Sequence, residues 1–168
     1  TLLMSSISLE LLQEAILKLI MKYSGLTQQE IDNANDGQVK NGCLILTKEE
    51  YEKKAFEDRK DFKFVIAKNL KAVSSCLFSQ SSLQFAFMPK VESIAQSAFW
   101  GCPLTLICFL KVKSIGTWAF NGCSQLSKVF LPVCEELGQQ CFVGCMKIKI
   151  LNLPKVKKIG LGQFQSCS

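Results

Sequence analysis

The stretch LSKVFLPVCEELGQQCFVGC, from Leu126 to Cys145, is followed two residues later by IKILNLPKVKKIGLGQFQSC, from Ile148 to Cys167, and the two align without a gap. In each an apolar starter (Leu126, Ile148) is followed three and five places on by apolar residues, Val129 and Leu131 or Leu151 and Leu153. Further apolar residues stand eight places on (Cys134, Val156) and eleven places on (Leu137, Ile159), and a phenylalanine stands sixteen places on (Phe142, Phe164). Working backward, the same columns recur from the starters Leu104, Leu83 and Phe62, which bring Phe120, Phe99 and Phe78. The five phenylalanines are spaced by 21, 21, 22 and 22 residues. A self-similar period of this length marks a solenoid of stacked supersecondary units.

One such unit cannot fold alone. Burying its half-dozen apolar anchors contributes about 1.5–3 kcal/mol each, less in sum than ordering roughly 21 residues costs. Stability therefore comes from the interfaces between neighbouring coils. The starter segment alternates inward and outward as a strand does, and parallel strands from successive coils pair into one sheet. Pro89, Pro132 and Pro154 close that strand. Gly116, Gly138 and Gly160 stand where a turn is expected to need unusual dihedrals. The Ala98-Phe99 and Ala119-Phe120 pairs read as short helical or 3₁₀ turns, with the phenylalanine rings stacked into a spine.

The pattern LxxLxLPxVxxIGxxAFxGC resembles the BspA-like leucine-rich repeats, which occur in surface proteins of oral and gut bacteria and of mucosal protists such as trichomonads. The likeness covers residues 62–168, with five columns in register. It departs from ordinary leucine-rich repeats at the eighth place, where an Asn ladder is expected and this chain has Leu70, Val91, Val112, Cys134 and Val156. The resemblance implies an α/β repeat fold, a right-handed solenoid with a parallel sheet, short helical turns and a second short strand at the Val/Ile segment. It also implies a role in adhesion or protein recognition at a cell surface or in secreted form, and it supplies no catalytic residue.

Composition sets further bounds. With 168 residues and 48% hydrophobic content the chain can build a sizeable core. It has no charge-free run of 18 apolar residues, so nothing in it reads as a membrane span. Residues 1–61 carry 8 basic and 11 acidic groups, a balance of −3, whereas residues 62–168 carry 12 lysines and 3 acidic groups, a balance of +9. The repeat region is the basic part, which favours acidic partners: proteins, acidic glycans or membrane surfaces. With no histidine, Ser-His and Cys-His nucleophile pairs are excluded; no phosphate-cradling glycine loop appears, and no cofactor is expected. The nine cysteines are odd in number, and Cys102, Cys123, Cys145 and Cys167 occupy one repeat column, so they read as buried free thiols filling small apolar spaces.

Residues 1–61 read as a helical N-terminal cap over the first coil, and residues 62–168 as a solenoid of five repeats. Thr1 to Tyr23 is apolar enough for a signal peptide, but Glu10, Glu14 and Lys18 interrupt it. Leu9, Leu12, Ile16, Leu19, Ile20 and Tyr23 instead fall on one face of an amphipathic helix. Thr27 to Glu30 and Thr47 to Glu50 are capping boxes, which predict helices over 27–34 and 48–59. Asn41-Gly42 predicts a turn, and residues 43–46 a short strand. The chain begins without Met and stops where a further repeat would start, so it reads as a fragment truncated at its C-terminus.

Two sets of residues are candidate binding groups. Strand positions two and four after each starter point away from the core: Phe64 and Ile66, Phe85 and Phe87, Leu106 and Cys108, Lys128 and Phe130, Ile150 and Asn152. Eight of these ten are apolar, and an apolar stripe on an open sheet face marks an interaction site. The competing explanation is that the face packs against another part of the molecule or a second copy, or reflects strand propensity. On one rim Lys90, Lys111 and Lys155 form one column, and Lys113 and Lys157, with Lys71, another; Glu92 and Glu135 interrupt it. This rim is expected to steer an acidic partner, and no nucleic-acid signature accompanies it. The leading functional reading is a recognition or adhesion module of a surface protein that binds a host or matrix protein through the sheet face. The alternative is a cytoplasmic scaffold or self-associating repeat protein.

Overall fold

The computed structural model describes residues 6–159 and 162–167. Two helices lead, α1 (Ser6–Ser24) and α2 (Gln28–Asp32), followed by strands β1 (Gln38–Lys40) and β2 (Cys43–Leu46). The later coils then add two strands each: β3 (Phe64–Ala67) and β4 (Ala72–Val73), β5 (Phe85–Phe87) and β6 (Ser93–Ile94), β7 (Leu106–Cys108) and β8 (Ser114–Ile115), β9 (Lys128–Phe130) and β10 (Glu136–Leu137), β11 (Ile150–Asn152) and β12 (Lys158–Ile159).

The starter segments form the first wall. β3 pairs in parallel with β5, placing Phe64 opposite Phe85, and β9 lies in parallel between β7 and β11. The two ladders meet at β5 and β7, where the Thr105 amide donates to the Gln84 carbonyl at 3.2 Å. The Val/Ile segments form a second wall of five parallel strands, from β4 to β12 in coil order. The eighth-place residues Leu70, Val91, Val112 and Cys134 are buried between these walls, so the missing Asn ladder is replaced by apolar packing.

The third wall is built from turns. Around each phenylalanine the residues two before and two after adopt positive φ: Cys76 and Gln80, Ser97 and Gly101, Trp118 and Gly122, Gln140 and Gly144. Bonds from residue i+3 back to i, such as Trp100 amide to Ser97 carbonyl (3.1 Å), close single 3₁₀-type turns there, one of the two forms expected. Amides of this wall donate forward to the next coil. Phe78 bonds to the Ala98 carbonyl, Phe99 to Ala119 and Phe120 to Cys141, each at 2.9 Å.

Between the walls lies the phenylalanine spine. Rings of Phe78, Phe99, Phe120, Phe142 and Phe164 stack with centroids 5.2–5.7 Å apart. Beside them the thiols of Cys102, Cys123 and Cys145 are buried, and each donates to the carbonyl of the phenylalanine one coil back, Phe78, Phe99 or Phe120, at 2.9–3.2 Å. Burial pushes the Cys102 thiol up to about 11 and that of Cys145 up to about 12, so both keep the proton they donate.

Gly116 and Gly138 do not adopt left-handed dihedrals, contrary to expectation; closeness is what requires glycine there. A Cβ on Gly116 would stand 2.6 Å from the Ala95 carbonyl carbon, and one on Gly138 would meet the Gly116 backbone. Gly160 lies outside the described residues.

A coil also precedes residue 62. β2 pairs in parallel with β3, Cys43 opposite Phe64, and Phe56 stacks on Phe78 at 5.6 Å, adding a ring to the bottom of the spine. The helix expected over 48–59 is therefore absent. The amides of Lys54, Phe56 and Asp58 donate to the carbonyls of Ser75, Leu77 and Ser79, and these contacts with burial of Phe56 outcompete a local capping signal. The other capping box is made: the Thr27 side chain accepts from the Glu30 amide and Glu30 from the Thr27 amide. Asn41 and Gly42, both at positive φ, form a two-residue turn joining β1 to β2.

Candidate functional site

The outward positions of the first wall divide into two columns, and α1 separates their fates. About 28 Å long, α1 can span six strands at sheet spacing. It runs back along the stack. In its first half Gln13 Nε2 donates to the Cys108 carbonyl at 3.2 Å; at its end Tyr23 stacks on Phe64 and the Ser24 carbonyl accepts from Asn41 Nδ2 at 2.8 Å.

This placement corrects the open-face expectation. Ile66, Phe87, Cys108 and Phe130, the column four after each starter, are buried, and so is Phe64. They form a second apolar core with Leu9, Ile16 and Ile20 of α1 and with Leu26 and Ile31. The physical reason is that an apolar strip of this size is costly to leave wet at about 25 cal/mol per Å², and the amphipathic stripe of α1 is its complement in the same chain. What read as a binding face is, over most of its width, an internal interface.

The column two after each starter borders the helix instead. Phe85 and Leu106 are half-buried there, and Lys128 and Ile150 are exposed. Tyr23, expected on the buried face of α1, is 62% exposed and tops a run of rings in which Tyr23 to Phe64 and Phe64 to Phe85 are both 6.2 Å between centroids. A cleft of about 540 Å³ opens beside them, lined also by Asn41, Lys60, Asp61, Lys63 and Gln84. Exposed lysines flank this margin, Lys63 at one end and Lys128 and Lys149 toward the other, and none of the three takes part in an ion pair among the described residues. The sequence reading missed Tyr23 and Lys63, because only the course of α1 brings Tyr23 to the strand starts.

The lysine rim lies past the strand ends and does not join this margin. Along the stack, Glu49, Lys71, Glu92, Lys113, Glu135 and Lys157 alternate one per coil. Lys71 pairs with Glu49 at 2.6 Å, Lys113 with Glu92 at 3.7 Å and Lys157 with Glu135 at 2.8 Å. The hydrogen bonds from Lys71 and Lys157 hold the carboxyls of Glu49 and Glu135 below their ordinary range. The glutamates that seemed to interrupt a basic column instead neutralise it, so Lys113 and Lys157 offer little net steering. Lys90 bonds to Asn69 Oδ1 at 3.0 Å, and Lys111 and Lys155 are exposed. Among the described residues no three His, Cys, Asp or Glu side chains gather where they could hold a metal, and no helix is long and apolar enough to cross a membrane.

Parallel strands, apolar columns at fixed places and one coil per period define a leucine-rich-repeat solenoid, a general protein-interaction architecture. The sequence profile of the BspA type leucine rich repeat region matches six copies over residues 49–168, more than half the chain, and the protein belongs to that family. The crystal structure of the T. pallidum leucine rich repeat protein is similar in fold, with a TM-score of 0.68, 21% identity and 75% of this chain covered. This chain spans 65% of the length of that protein. No curated protein sequence matches.

Proposed function

We propose that the chain is a recognition module of a cell-surface or secreted protein, and that it engages a host or matrix protein along the margin between α1 and the first wall. The observation that carries this reading is the strip of Tyr23, Phe85 and Leu106, partly or fully exposed along α1, continued on the same strand column by exposed Ile150 and bordered by Lys63, Lys128 and Lys149. Apolar anchors within a polar, mainly basic rim suit a protein partner with an acidic border around an apolar patch. The test is binding to an array of purified matrix proteins, with Phe85, Leu106 and Ile150 replaced together by Ser and, separately, Lys128→Glu. The triple variant should lose at least about tenfold in affinity with its circular dichroism unchanged, and Lys128→Glu should slow association at low salt. Capture that survives the triple replacement would show that the margin is not the contact surface.

A second reading, a self-associating structural or cytoplasmic repeat protein, is supported by the unpaired and mostly buried cysteines. Sedimentation across a concentration series separates the two readings. Thiol titration of protein drawn from its native compartment tests localisation, since extensive disulfides accompany secretion and free thiols the cytosol.

A further inference from the structure

Both tryptophans of the chain stand on the turn wall, away from α1 and the first sheet. Trp100 follows Phe99 by one residue, Trp118 precedes Phe120 by two, and they are 45% and 42% exposed. They line one cleft of about 440 Å³ that crosses the early coils, with Cys76 and Ser97 as its small residues and Asn121, Lys54 and Glu57 as its polar ones. Gly122, at φ +75°, borders one ring, and a Cβ there would stand in ordinary contact with Trp100 Nε1 at 3.8 Å.

Trp118 occupies its place at a cost. Its φ is +58°, in the left-handed region that this wall imposes two residues before each phenylalanine, where the other coils place Cys76, Ser97, Gln140 and Gly162. The turn fixes the backbone there but not the side chain: the other coils put no aromatic ring at this place, and 42% of Trp118 stays exposed. A large ring, partly exposed, where small or polar residues suffice for the turn points to a ligand.

The polar groups narrow the ligand. Lys54 and Glu57 pair at 3.3 Å, so the cleft presents no net charge. Trp118 Nε1 donates to Gln140 Oε1 at 2.7 Å, which fixes that ring and leaves one fewer indole donor for a polyproline segment, rich in carbonyls and poor in amides. What remains are two indole faces with an amide, a hydroxyl and a carboxylate around them, each able to bond to alcohols.

We propose that the Trp100–Trp118 cleft binds an uncharged pyranose sugar, stacking its C–H face on the indoles and bonding its hydroxyls to Asn121, Ser97 and Glu57. The electron-rich ring face attracts the polarised C–H groups, and the neutral rim favours an uncharged sugar over a sulfated one. The cleft is separate from the α1 margin, so each can succeed or fail without the other.

Because the chain has no other tryptophan, its emission reports on this cleft directly. The experiment titrates the full chain with chitotetraose, cellotetraose and mannotetraose, in parallel with decaproline, following emission and calorimetry. The expected result is saturable binding of at least one tetrasaccharide, with half-saturation near about 1 mM. Trp118→Gly should weaken it at least about tenfold while matching or exceeding the parent in thermal stability, since glycine relieves the positive φ. Trp100→Phe should keep part of the binding, and Phe85→Ser should leave it unchanged. No saccharide binding, binding of decaproline alone, or sugar binding untouched by Trp118→Gly would each overturn the proposal.

Discussion

At the residue scale, the spine and its surroundings set the energetics. Phe120 is fully buried between Phe99 and Phe142, with ring planes only 6° and 4° from parallel. Phe120→Ala removes a ring that neighbouring coils cannot close over, and urea denaturation should show a loss of about 3–5 kcal/mol. A second residue carries pH dependence. Burial disfavours ionisation of Asp36, but the Thr47 amide, the Tyr51 hydroxyl and the Lys48 ammonium outweigh it and draw its carboxyl from 3.8 to about 2. A carboxyl depressed in the folded state stabilises it above its unfolded pKa, and that contribution fades as pH falls from about 4 to about 2. Against Asp36→Asn, the parent should be more stable at neutral pH by on the order of 1 kcal/mol, and the gap should close across that window in denaturant titrations.

At the scale of elements, the alternating Glu/Lys column beside the second wall acts as a set of exposed ion pairs. Each is screened by solvent, so Glu92→Lys should lower the melting temperature slightly at low salt, and the difference should largely vanish near about 0.5 M salt. Much of this level was legible from period alone. Five starters and five phenylalanines placed the first wall and the spine, and the Val/Ile columns marked the second wall once the family resemblance was drawn. The first coil was not legible, because Phe56 lies in a segment whose Thr47 to Glu50 stretch imitates a helix start. The signal available was its spacing of 22 residues before Phe78. The alternation of Glu and Lys was equally present in the sequence, but an ion-pair column reads as an interrupted basic one until the coils are stacked.

At the scale of the whole molecule, α1 changes what the solenoid offers to solvent. Its stripe of Leu9, Ile16 and Ile20 covers Ile66, Phe87 and Phe130. Replacing Ile16 and Ile20 together by Ser should loosen that cover, so that a hydrophobic dye binds strongly while the strand signal in circular dichroism persists. An unchanged dye response would mean that other residues hold the helix down. The amphipathic pattern of α1 and the apolar excess of the sheet face were both visible in the sequence. Their mutual fit was not, because no local rule says which surface a leading helix will choose. The turn wall carries a different consequence: its amides point one way along the stack, from each phenylalanine to the carbonyl before the next. Each coil therefore presents unlike faces there, acceptors toward the preceding coil and donors toward the following one. Two faces of one kind cannot bond to each other through this wall; only unlike faces match, so a coil laid against it must keep the same direction.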